Sequence, residues 1–291
     1  MDVFLQSVGF GLVTASVLAI GAVGATLQVG ITNFINFAYG DFMTFGAYMA
    51  FLVVATLHQN LFLGLIAAAI ATAILAVALD KIVFTPFMRK KPKVVTMTVV
   101  TLGLSLMISG ILQAVFGSLF KTYGLPTPRS YNVGPFIFTT EQLIIIGCAV
   151  VVLGGLEMLL RFTKVGKALR AMSDNMELAQ ASAINVRTLT RLTWAIAGAL
   201  SGISGVVLIL QVGVLTPTTG LTYLFIVMAP VIMGGIGKPM GTILAAVLMG
   251  MVLEVSGAYL NSGYSIALAF GVLVVALMVR PQGLFAARAR H

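Results

Sequence analysis

Five stretches of this chain contain no Asp, Glu, Lys or Arg: Val3–Gly40, Phe42–Leu79, Val94–Phe120, Leu192–Gly237 and Val255–Val279. A helix needs about 20 apolar residues to cross the hydrocarbon of a bilayer. Each run suffices for one crossing, and some suffice for two. In lipid the backbone must satisfy its own hydrogen bonds, which leaves helices or closed barrels. The runs are continuously apolar, without the alternation of a barrel strand. The chain therefore reads as all-α, a polytopic bundle of eight or nine spans. Only 9% of its 291 residues are charged, against about 25% in a soluble domain.

The net charge is +9. In a soluble protein that would suggest nucleic acid, but here it reads as the positive-inside bias of a membrane protein. Lys81, Arg89, Lys90, Lys91 and Lys93 form one basic cluster. Arg161, Lys164, Lys167, Arg170, Arg187 and Arg191 form the second, and Arg280, Arg288 and Arg290 the third. All three are expected on the cytoplasmic face of an inner membrane, with the C-terminus. The connection Gly117–Thr140, with Pro126, Pro128 and Pro135, is expected outside. Cys148 has no cysteine partner in the chain and reads as a packing residue. Asp2, in place of a basic leader segment, argues against a cleaved signal.

Threading helices between these anchors predicts spans near 4–28, 41–57, 61–84, 94–116, 141–161, 191–212, 222–236, 240–259 and 263–280. Pro217 within Gly213–Gly220 removes a backbone donor and breaks the long fourth run. Gly30–Gly40 reads as a loop or a broken helix. Gly40–Ala47 and Gly235–Thr242 share a Gly–x5–Gly pattern, which suggests either an internal repeat around a transport pathway or chance. Gly198 and Gly202 are small residues at a spacing that lets helices approach closely.

The motifs of zinc hydrolases, serine hydrolases and phosphate-binding loops are absent from the sequence. GGIGKPMG lacks the glycine spacing of a phosphate cradle. The chain reads as a non-enzyme. It needs no cofactor of its own, and any ATP would be used by partner subunits. Among ionisable residues, Asp41 is expected to cap a helix and Glu254 to face water at a helix end. Gln28, Asn33, Asn36, Tyr39 and Asp41, with Thr216 in the second broken region, are the candidates for a substrate pathway. Asn33 and Asn36 share a face if their segment is helical.

The segment Gly166–Val186 interrupts the apolar pattern with Lys167, Arg170, Asp174 and Glu177. Asp174 followed by Glu177 has the spacing of a capping box. Met176, Ala179, Gln180 and Ala183 then form one small-residue face. Such a helix is too short to stand alone, and its alanines suit docking into a protein groove better than burial in lipid.

Four stretches carry a family resemblance: GITNFINFAYGDFMTFGAY (30–48), TKVGKALRAMSDNMELAQASAINV (163–186), GGIGKPMGTILAAVLMG (234–250) and RPQGLF (280–285). Together they resemble the LivH-type permease subunits of branched-chain amino acid ABC importers, over almost the whole length. The resemblance implies a single transmembrane permease domain whose 162–190 loop holds a coupling helix. By it, Gly166, Arg170, Asp174, Glu177, Ala179 and Ala183 fall in the segment that docks on an ATPase. Ala183 departs from the family's usual Gly. The implied partners are a second, related permease, two ABC ATPase chains, a soluble substrate-binding protein and membrane lipid, with no nucleic acid. Implied substrates are Leu, Ile, Val and relatives. Permeases for urea or short amides, an ion-coupled amino acid carrier and a non-transporting scaffold are the alternatives.

Overall fold

The structure is a computed structural model. It describes residues 2–89, 92–134, 136–174, 176–182, 185–260, 262–281 and 283–284. Lys90, Lys91, Ala183, Arg288 and Arg290 lie outside the described residues.

The fold is a bundle of apolar helices. In chain order they are α1 (Asp2–Thr32), α2 (Tyr39–Phe51), α3 (Leu61–Leu79), α4 (Thr85–Arg89), α5 (Val94–Phe116) and α6 (Thr140–Phe162). Then come the short α7 (Lys164–Asp174) and α8 (Met176–Ala181), followed by α9 (Val186–Val212), α10 (Thr219–Gly234), α11 (Pro239–Tyr259) and α12 (Ser265–Val279). Among the described residues, six helical stretches are long and apolar enough to cross a membrane, and α10 and α12 are shorter apolar helices. Every expected span has a helix, with ends within a few residues. Two π-helical turns, Leu52–Thr56 and Asp80–Phe84, extend α2 and join α3 to α4. The expected outer loop holds a feature that the sequence reading missed: an antiparallel hairpin, β1 (Ser130–Val133) with β2 (Phe136–Thr139). Thr139 then caps α6 in a reciprocal box with Gln142, which satisfies two otherwise orphan N–H groups.

Helix α1 is the most buried of the long spans. It packs along α9 and α11 for much of its length. The small residues of α9 set the contacts at the centre. An added Cβ at Gly202 would sit 2.6 Å from the Ala68 carbonyl oxygen of α3, and one at Gly46 would fall on the Gly202 backbone. One at Gly205 would collide with the Met43 carbonyl of α2. Gly40 and Gly220, near the starts of α2 and α10, also touch backbone to backbone. The Thr44 hydroxyl accepts the Gly220 N–H there at 2.9 Å. The glycines of GALSGISG thus do what their spacing suggests.

The two Gly–x5–Gly segments adopt different structures. Gly40–Ala47 lies inside α2, whereas Gly235–Lys238 is a tight turn before α11. The helices that do correspond are α2 and α10, each entered from an irregular segment (33–38 and 213–218).

Filling the α9 contacts should be costly. Gly205→Val should lower stability by about 1–3 kcal/mol, the usual range for overpacking. Gly110→Ala and Gly154→Ala meet no neighbour within 4 Å and should not. Thermal unfolding of the purified protein in detergent measures this, and equal losses at all three positions would refute the packing assignment.

Candidate functional site

The four family stretches lie far apart in sequence, yet all reach one end of the bundle. Gly30, in the last turns of α1, meets Gly237: a Cβ on Gly30 would stand 2.6 Å from the Gly237 Cα. Gly237 has φ +77°, a conformation natural to glycine, and a Cβ there would stand 2.6 Å from the Ser173 Oγ of α7. The Gly237 N–H donates to Thr26 Oγ1 of α1 at 3.0 Å. The fourth stretch docks on the same turn, with the Leu284 N–H donating to the Met233 carbonyl at 2.8 Å and Gly283 against Gly235.

The linking segment is built for a sharp corner. Helix α6 ends at Phe162, and Thr163 Oγ1 accepts the Gly166 N–H at 3.0 Å, so this hydroxyl satisfies a donor in the first turn of α7. Gly166 presses on the Leu160 backbone with no room for a side chain. Leu169 and Met172 then bury α7 against the bundle. Arg170 is exposed and lines a cavity of about 260 Å³ with Arg161, Lys238, Glu157 and Ser173.

Three expectations for this segment change. Asp174 is the last residue of α7, so it does not open the following helix. The polar stretch forms two helices, and Glu177 lies in the second, α8. Ala179 is buried at 3% exposure within this chain, because α8 packs on α7 and α9. Its small side chain therefore serves close packing inside the protein. Leu178 of α8 is 65% exposed.

Of the pathway candidates, Asn36, Tyr39 and Asp41 flank the start of α2, and Gln28 lies on α1. Gln28 and Asn36 are each 1% exposed, and Tyr39 and Asp41 are fully buried. The Tyr39 hydroxyl donates to the Gly21 carbonyl of α1 at 2.7 Å. Asn36 Oδ1 accepts the Ala38 N–H at 3.1 Å. Gln28 Nε2, Asn36 Nδ2 and both Asp41 carboxylate oxygens lack partners of full hydrogen-bond geometry, although Ser105 approaches Asp41 from α5. Buried polar groups are nearly always paired, so this cluster is unusual. Asn33 stands apart, exposed and at φ +57° in a non-helical segment, so Asn33 and Asn36 share no helix face. Asp41 lies in the first turn of α2 behind Ala38 at the cap position, with no side-chain capping bond. Thr216 is separate again. Its hydroxyl bonds Thr219 at 2.8 Å in the irregular entry to α10.

Glu254 lies near the end of α11, partly exposed as expected, and it also has a partner. Its Oε1 accepts from the Thr14 hydroxyl of α1 at 2.6 Å, and Thr14 Oγ1 accepts from Gln211 Nε2 of α9 at 2.6 Å. The signal in the sequence was three isolated polar residues in apolar runs, with nothing to show that they meet.

An apolar helical bundle with six helical stretches, among the described residues, long enough to cross a membrane defines a multi-pass integral membrane protein. Residues 7–279 match the family described as the permease component of branched-chain amino acid transport systems, and the chain belongs to that family. It is 26% identical over 297 residues to the high-affinity branched-chain amino acid transport permease LivH of Salmonella typhimurium, covering 97% of this chain and 95% of the relative. It is 24% identical to BraD of Pseudomonas aeruginosa, with the same coverage. Among solved structures, PsaBC from Streptococcus pneumoniae in complex with Fab shares the fold, with a TM-score of 0.51 and 18% identity over 96% of this chain and 92% of that one.

Tyr39→Phe removes the hydroxyl that ties α2 to α1 and should destabilise the protein by about 0.5–1.5 kcal/mol, the net worth of one hydrogen bond. The thermal midpoint of the detergent-solubilised protein is the measurement. An unchanged midpoint would show that this bond does not fix α2.

Proposed function

We propose that this chain is a translocation subunit of an ATP-driven importer of branched-chain amino acids. The carrying observation is the family match across residues 7–279. The convergence of Gly30, Ser173, Gly237 and Gly283 on one junction supports it, because it ties the polar segment mechanically to the spans. The chain pairs with a second, related permease. Two ATPase chains bind its basic end in the cytoplasm, and a soluble binding protein delivers substrate at the other end. The subunit sits in the inner membrane with its C-terminus inside.

In this reading α7 and α8 form the coupling element. ATP-driven approach of the two ATPases pushes on α8, whose exposed Leu178 inserts into an ATPase groove. Lys167 and Arg170 flank that contact, and Gly166 and Ala179 hold the element close to the bundle. The rocking of α7 passes through Ser173 to Gly30 of α1 and Gly237 before α11. The buried polar groups Gln28, Asn36, Tyr39 and Asp41 then border a pathway that alternates between the two sides, and Thr216 lies at the second broken entry.

Two measurements test this. In the complex reconstituted with its binding protein, Leu178→Asp should abolish most substrate-stimulated ATP hydrolysis and uptake while assembly persists. Ala179→Trp should reduce both and also loosen α8, since overpacking costs about 1–3 kcal/mol. Normal stimulation in both variants would make the segment a mere connection. For orientation, single cysteines at Lys93 and Lys167, with Cys148 replaced, should resist impermeant thiol reagents in whole cells. Labelling from outside would invert the arrangement.

A further inference from the structure

A cavity of about 600 Å³ lies at the end of the bundle away from the basic loops. It opens between the N-terminal part of α1, the C-terminal parts of α9 and α11, and the first turns of α10 and α12. Its lining is mostly aliphatic and aromatic, with Phe10, Val17, Leu208 and Ile226 among the walls. Glu254 is the sole charged residue in that lining. The Gln211–Thr14–Glu254 chain holds the carboxylate in place from two other helices, with both bonds at 2.6 Å. The direction of the bonds matters. Thr14 spends its one proton on Glu254 Oε1 and takes its own donor from Gln211, so the chain fixes Glu254 as an acceptor.

We infer that this cavity is a substrate site in the translocation pathway, in which Glu254 receives the α-ammonium group of a small aliphatic amino acid. This rests on the importer reading above and names the residues that would touch its cargo. A carboxylate in an apolar span is expensive and by default functional. A lone anion in an aliphatic pocket suits a ligand with one cationic head and an apolar tail. The volume falls within the range of small-molecule sites. Neutral donors complete the fit for the ligand's carboxylate. The Ser265 hydroxyl lines the same space and lies 3.1 Å from where a Cβ on Gly257 would stand, so the absence of a side chain at Gly257 keeps that hydroxyl open toward the Glu254 helix. Tyr223 lines the cavity as well. Thr14 and Gln211 act on Glu254 and serve as positioning residues.

The test uses the whole complex in nanodiscs. Ala258 lines the cavity and is exposed, so Ala258→Cys, in a background with Cys148→Ala, gives a thiol beside Glu254. L-leucine should slow its alkylation several-fold. 4-Methyl-2-oxopentanoate, which keeps the carbon skeleton but has a ketone in place of the ammonium, should not. Glu254→Gln keeps the shape and the acceptor for Thr14, and it should remove the leucine protection. In the parent protein the same substitution should cut uptake about tenfold or more, the scale expected for a hydrogen bond to a charged group. Glu254→Asp should retain part of both. Equal alkylation rates with and without every amino acid tried would overturn the inference, as would equal protection by the keto acid. The importer reading fails separately. If the complete complex shows no ATP-dependent leucine uptake, yet another α-amino acid protects the thiol in a Glu254-dependent way, the substrate assignment falls and the cavity stands.

Discussion

Close approach of backbones at glycine governs this structure. Lipid tails are as apolar as leucine side chains, so burial from water does not drive helices together inside a membrane, and small residues and hydrogen bonds must do so. Here the contacts run through α9. Gly198 and Gly202 admit α3, and Gly205 admits the Met43 carbonyl of α2. Gly46 meets Gly202 from the other side, so α2 reaches the bundle centre only because neither helix carries a side chain there. The Gly40–Gly220 contact makes the same arrangement between α2 and α10. Asn36, Tyr39 and Asp41, beside these contacts in the sequence, are buried from solvent.

The sequence disclosed the helices well because their signal is local. Charge-free runs bounded by basic clusters or proline determine where a span begins and ends, and the observed helices follow them. Features that depend on a partner far along the chain were not legible. Thr14 and Glu254 are separated by 240 positions, and no periodicity announces that they meet. Asp41 looked like a cap because it follows a glycine and precedes an apolar run. The helix in fact starts two residues earlier, at Tyr39, which puts the carboxylate inside. Ala179 looked like a docking residue because it is small and lies in a polar stretch. A small residue serves equally for packing on the protein's own helices, and it is used that way here. The π-helical turns and the β1–β2 hairpin had no distinctive pattern at all.

The polar segment of α7 and α8 shows how a weak local preference is rescued by its surroundings. Helix α8 spans only Met176–Ala181, far below the length at which a helix persists alone in water. It is held by contact with α7 and α9, and α7 is held in turn by Leu169, Met172 and the Thr163 hydroxyl. A push on α8 cannot be absorbed by melting it without also undoing those contacts, so force applied there is passed on.

On the importer reading proposed above, α1 and α11 are the spans that a push on α8 would reach. Both run from the Gly30–Gly237–Ser173 junction to the cavity at the opposite end, and each carries one partner of the Thr14–Glu254 bond there. At 1.5 Å per residue, Thr14 lies about 24 Å along α1 from Gly30. Glu254 lies about 22 Å along α11 from its first residue, Pro239, by the same measure. The two arms are nearly equal and are packed against each other for much of their length. The junction offers little slack, since Gly237 is closed in by Gly30 on one side and by the Ser173 hydroxyl on the other. Rotation of α7 that displaces Ser173 must therefore shift the end of α1, the turn before α11, or both. Unequal shifts of the two arms would pull on Thr14 and Glu254 in opposite directions. The hydrogen bond between them spans the two arms, and a carboxylate held more or less firmly by Thr14 as they shift would convert a movement at the basic end into a change in affinity at the other.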